Sequence, residues 1–100
     1  MDKVERKMTP VIICSGENGR AVVFGWASEL PEVGKPVELE RAKMVLYWSM
    51  ECGGLFGLAS NGPKTTTRIT CAVDKVRDVP KQVLEVSEKA AAAIDGWPDA

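Results

Sequence analysis

One hundred residues, 45% apolar and 27% charged with a formal net charge of −1, describe one ordinary globular domain, long enough to bury roughly 60 to 70% of the surface its unfolded chain exposes. That balance lacks the basic field a DNA or RNA polymer demands; with no apolar run of transmembrane length and an N-terminus, MDKVERKMTP, too polar for a signal peptide, a cytosolic protein with no membrane partner is expected. The chain has no histidine, and Cys14, Cys52 and Cys71 are widely spaced and odd in number, so imidazole chemistry is excluded and neither a zinc site nor a disulfide framework is expected.

The domain is read as residues 1–100, with the order of the charged segment 1–8 left open. From Thr9 to Ser28, VIICS and RAVVFGWAS flank a turn at Asn18-Gly19, the pattern of a β-hairpin. In its second arm Val22, Phe24 and Trp26 share one face, and Ala21, Val23, Gly25 and Ala27 the other, so both faces are apolar and both need cover. Another subunit is the expected source of the second cover, which makes a homo-oligomer the expectation.

ELPEVGKP is a connector broken by Pro31, Gly34 and Pro36. Val37 and Leu39 then alternate with Glu38 and Glu40, but past Arg41-Ala42 the apolar parity slips, since Met44, Leu46 and Trp48 share the parity of the glutamates. A bulge or short turn is expected there, followed by a strand KMVLYW. Cys52 to Ser60 carries Leu55, Phe56, Leu58 and Ala59 at helical spacing, with a stop at Asn61-Gly62-Pro63. Thr65 to Val73 reads as a half-exposed strand and Asp74 to Pro80 as a polar connector. Residues 80–86 admit a strand or a helix start; the strand is favoured, because Val83, Leu84 and Val86 precede Ser87, a good N-cap for the helix SEKAAAAI. The sum is an α+β fold: a small antiparallel sheet of five or six strands with a short central helix and a short C-terminal helix.

GKPVELERAK, YWSMECGGLFGLASNG and RITCAVDKV together resemble a family of short phage and prophage proteins of unknown function. Its pattern is a hairpin, an arginine before a Tyr-Trp pair, a short Leu-x-x-Leu-Ala helix ending in glycine, two further strands and a terminal helix. Here these fall on Arg41, Tyr47-Trp48, Leu55 to Ala59, Gly62, Ile69 to Val73, Val83 to Val86 and the helix after Ser87. The chain departs from the pattern at Met50-Glu51 and in its longer ELPEVGKP loop. The resemblance implies a small protein acting in a bacterial cytosol.

Tyr47 and Trp48 are adjacent on a strand and must face opposite sides, so one ring is available as a platform for a nucleobase. Thr66, Arg68 and Thr70 form a polar stripe after Lys64, where a guanidinium fork is suited to phosphate. Arg68, Arg41, Lys64, Tyr47 and Trp48 are the candidate phosphate and base contacts, with Ser49, Thr66 and Thr70 as hydrogen-bonding partners. Cys52 has no base to activate it, and the carboxylates fall in turns, loops and exposed strand positions, so neither a catalytic residue nor a cofactor is expected. Together with the phage resemblance, these residues imply a sponge that sequesters a nucleotide immune signal, a cyclic dinucleotide or an ADP-ribose derivative. The alternative is a protein-binding accessory factor that inhibits a host enzyme or supports phage assembly.

Overall fold

A computed structural model describes residues 8–48, 50 and 53–99. The elements in chain order are β1 (Thr9–Ser15), β2 (Ala21–Ala27), β3 (Val37–Tyr47), α1 (Gly54–Asn61), β4 (Arg68–Ile69), β5 (Val73–Asp78), β6 (Gln82–Glu85) and α2 (Glu88–Asp95). The hairpin β1–β2 runs in continuous register from Ser15↔Ala21 to Thr9↔Ala27. Gly16 and Gly19 supply the positive φ angles of its turn.

The six strands form one antiparallel sheet in the order β4-β3-β2-β1-β6, with β5 also on β3. β4 and β5 succeed each other along β3, and the break between them falls at Thr70–Ala72. Thr70 closes the gap: its amide donates to Met44 O at 2.9 Å, and its hydroxyl accepts from the Met44 amide at 2.9 Å. The expected strand from Thr65 to Val73 is thus displaced. Thr65 and Thr66 are a turn, held where the Lys64 amide donates to the Thr67 hydroxyl at 2.9 Å, and the expected connector after Val73 is β5. Its polar sequence, VDKVRD, is that of an exposed strand, and Arg77 forms an ion pair at 3.2 Å with Glu38 directly opposite on β3.

The parity slip after Arg41 is a bulge within one long strand. The pairing of β2 with β3 shifts between Phe24↔Lys43 and Trp26↔Glu40, and Arg41 takes φ 49°. The bend returns the first half of β3 onto the hairpin. Leu39, fully buried, lies so close over Gly25 that a Cβ at that position would stand 2.6 Å from the Leu39 Cβ. Each face of the sheet therefore has its own core. Ile12, Phe24, Val45 and Ile69 pack beneath Leu58 of α1 and Ala90, Ala91 and Ile94 of α2, while Val11, Ile13, Val23, Ala27, Leu39 and Ala42 form the other core with Val37, Val76 and Val83. The second hairpin face, expected to await another subunit, is covered within the chain by β3, β5 and β6.

α2 is fastened at both ends. The Ser87 hydroxyl accepts from the Ala90 amide at 3.1 Å and donates to Ser60 O at 2.7 Å, joining the start of α2 to the end of α1. At the other end the Lys43 ammonium, 6% exposed, donates to Ile94 O at 3.0 Å and Asp95 O at 2.9 Å. A cation there satisfies terminal carbonyls and complements the helix dipole.

Candidate functional site

The residues assigned to one site from the sequence divide between two clefts. The first, about 500 Å³, is lined by Tyr47, Thr65, Thr66, Thr67, Arg68 and the C-terminal run Trp97-Pro98-Asp99. Tyr47 and Arg68 are partners across the β3–β4 pairing, so ring and guanidinium start side by side. The opposite wall is held at two points: the Trp97 indole donates to Thr67 O at 3.0 Å, and the backbone of Asp99 bridges Ile69 in parallel. Tyr47 is 49% exposed, whereas Trp48 packs against the helix-side core, which resolves the choice between the two rings in favour of Tyr47. Among the described residues Arg68 is in no ion pair, so its donors are available to a guest.

Of the other assigned residues, Thr66 lines this cleft, and Lys64 is exposed just before Thr65 without lining it. Thr70 is absent from the cleft because its hydroxyl is engaged with the backbone of Met44 and Cys71; it lines instead an apolar hollow of about 280 Å³ with Ala42, Met44 and Val73. Ser49 lies outside the described residues, as do Cys52 and most of the segment 1–8.

Arg41 lines a second cleft, of about 470 Å³, with Met8, Pro10, Trp26, Glu88, Ala92 and Asp95. Its guanidinium carbon sits 4.7 Å from the centroid of the Trp26 ring, in range of a cation–π contact. Trp26 is held in turn, its indole donating to Asp95 Oδ1 at 3.2 Å and its ring meeting Phe24 edge-on at 6.0 Å. Arg41 is the one non-glycine residue with positive φ among the described residues, a conformation that costs a side-chain-bearing residue about 1–2 kcal/mol. Arg68 stands opposite Tyr47, further along β3 than Arg41, so the two arginines do not converge.

Sequence reasoning missed Trp97, Pro98 and Asp99, which read as a tail after the helix stop at Gly96. It also missed Asp95 as the anchor of Trp26. Neither has a local signal, since each acts across the fold. Burial pushes the Cys14 thiol up from its ordinary range, which keeps it protonated and unreactive. No helix among the described residues is long and apolar enough to cross a membrane.

Fold and clefts together define a small α+β protein: an antiparallel sheet with a core on each face, two helices on one of them, and two clefts that draw an arginine and an aromatic ring each. The chain belongs to the family described as Domain of unknown function (DUF6948), whose model matches residues 8–94. The matched span includes the Tyr47–Arg68 wall of the first cleft and ends before its Trp97–Asp99 wall. No curated protein and no solved structure matches the chain.

Proposed function

We propose that this chain is a non-catalytic binding protein that takes a small nucleotide in the cleft between Tyr47, Arg68 and Asp99, and that it serves as a phage-type anti-defence sponge in a bacterial cytosol. One observation carries the reading: an exposed ring and an unpaired guanidinium on adjacent strands of one cleft. Stacking on such a ring contributes roughly 1–3 kcal/mol per base, and arginine holds phosphate through paired hydrogen bonds. The cleft volume, about 500 Å³, suits a nucleotide-sized guest. Asp99 repels phosphate from the far wall, which orients the guest with its phosphate toward Arg68 and a base edge rich in N–H donors toward the carboxylate.

Calorimetry with cyclic dinucleotides, cyclic trinucleotides and cyclic ADP-ribose isomers tests this directly. Binding at tens of micromolar or tighter is expected for one class, with unchanged ligand recovered after long incubation. Arg68→Ala or Tyr47→Ala is expected to weaken it by about tenfold or more. A panel without binding refutes the sponge, and a converted ligand refutes the non-catalytic role. The alternative, a protein-binding accessory factor, is favoured by the exposure of Met50 at 86%, Phe56 at 65% and Leu46 at 52%. A stoichiometric protein partner from infected cells, with no nucleotide released on denaturation, would select it.

A further inference from the structure

The second cleft holds opposite charges that do not meet. Arg41 and two carboxylates, Glu88 and Asp95, line the same space, yet among the described residues Arg41 is in no ion pair. The stack on Trp26 holds the guanidinium at the ring, and a rigid chain of contacts stands behind it: Lys43 fixes the end of α2, Asp95 on that end fixes the indole, and the indole carries Arg41. A guanidinium carries five N–H donors in a fixed fork, and a cation–π contact through its central carbon occupies none of them by a hydrogen bond, so they remain open to whatever enters beside it. Glu88 opens α2, where a negative charge is favoured by the helix dipole, and it lines the cleft. Met8, Pro10 and Ala92 supply the apolar part of the wall.

We infer that this cleft is a second binding site, separate from the nucleotide cleft, and that it takes a small zwitterion: an α-amino acid with an aliphatic side chain. Its carboxylate pairs with the N–H donors of Arg41, its ammonium with Glu88 and with the Asp95 oxygen that does not accept from the indole, and its side chain lies against Pro10 and Met8. A simple anion is disfavoured because two carboxylates face it. A simple cation is disfavoured because Arg41 already covers the indole face. Only a guest with both charges satisfies both walls.

The test is a titration of the ¹⁵N-labelled full chain with L-leucine, following the Trp26 indole N–H resonance, beside its two halves, 4-methylpentanoate and 3-methylbutylamine. L-leucine is expected to give a saturable shift, complete by about 10 mM, with each half about tenfold weaker or worse. Arg41→Gly and Glu88→Gln are each expected to weaken leucine binding about tenfold, and glycine adopts φ 49° without a Cβ penalty, so the first variant keeps the bulge. Arg68→Ala is expected to leave leucine binding unchanged. No saturable shift, or a half-ligand that binds as well as leucine, overturns the inference; so does loss of binding in Arg68→Ala with retention in Arg41→Gly. Nucleotide binding in the first cleft is tested separately, by the calorimetry, so failure of the leucine titration leaves that reading standing.

Discussion

The two clefts use the same residue types in opposite ways. In the first, Tyr47 and Arg68 stand beside each other on paired strands, and each leaves its binding surface free. In the second, Arg41 lies on Trp26 and the indole is tied to Asp95, so the ring serves as a support. An arginine next to an aromatic is thus no single signal. Where backbone register sets the pair side by side, both groups are left open to the cleft; where the arginine sits over the ring, the pair becomes one unit.

The second cleft lies at the bend in β3, and Gly25 permits that bend. Gly25→Ala is expected to have the largest effect, because its Cβ would meet Leu39 at 2.6 Å, in a core that cannot yield without shifting β3. Overpacking of this kind costs about 1–3 kcal/mol, read as a lower urea midpoint. Because Arg41 sits in that bend over Trp26, the variant is also expected to perturb the Trp26 indole resonance. An unchanged midpoint would mean that β3 can shift without loss and that its bend is not fixed by packing.

A smaller effect distinguishes the two arginines. Arg41→Ala loses the cation–π contact, about 0.5–1 kcal/mol, and retains the positive φ penalty, whereas Arg41→Gly loses the same contact and relieves the backbone. Urea titration is expected to find Arg41→Gly more stable than Arg41→Ala by about 1 kcal/mol, and Arg68→Ala within about 0.5 kcal/mol of the parent, as befits an exposed and unpaired side chain. Equal stabilities for the two Arg41 variants would show that its backbone is unstrained and that the stack alone holds it.

Much of the architecture is legible from local pattern. The hairpin follows from period-two runs around a glycine turn, α2 from Ser87, and the bulge from the parity slip at Arg41-Ala42. β5 was hidden because VDKVRD carries the charge of a loop; its stability as a strand comes from pairing with β3 and from Arg77 opposite Glu38, neither visible in the segment itself. The hairpin faces were read correctly as doubly apolar, but their second cover depends on Leu39 approaching Gly25, a long-range fit. For the candidate site, Thr66 and Arg68 were legible as one group because they lie on one short segment, while the choice of Tyr47 over Trp48 and its pairing with Arg68 came from the strand register. Arg41 was misgrouped with them, and Trp97–Asp99 was overlooked, because both results turn on where distant segments dock.

The smallest expected effect concerns Cys14, on β1 within the core shared by both helices. Burial disfavours its thiolate and raises its pKa above the ordinary 9.0. The folded state therefore holds that proton more tightly than the unfolded state, and the stabilisation is fully present below pH 9.0 and declines as pH rises through the folded-state value. Urea midpoints measured on either side of that window are expected to fall more for the parent than for Cys14→Ala, the difference isolating this thiol from other alkaline titrations. Alkylation at neutral pH is expected to label exposed Cys71 and spare Cys14. Rapid labelling of Cys14 would mean that β1 opens readily toward β6, and that the core beneath both clefts is less rigid than the fixed Trp26 and Arg41 require.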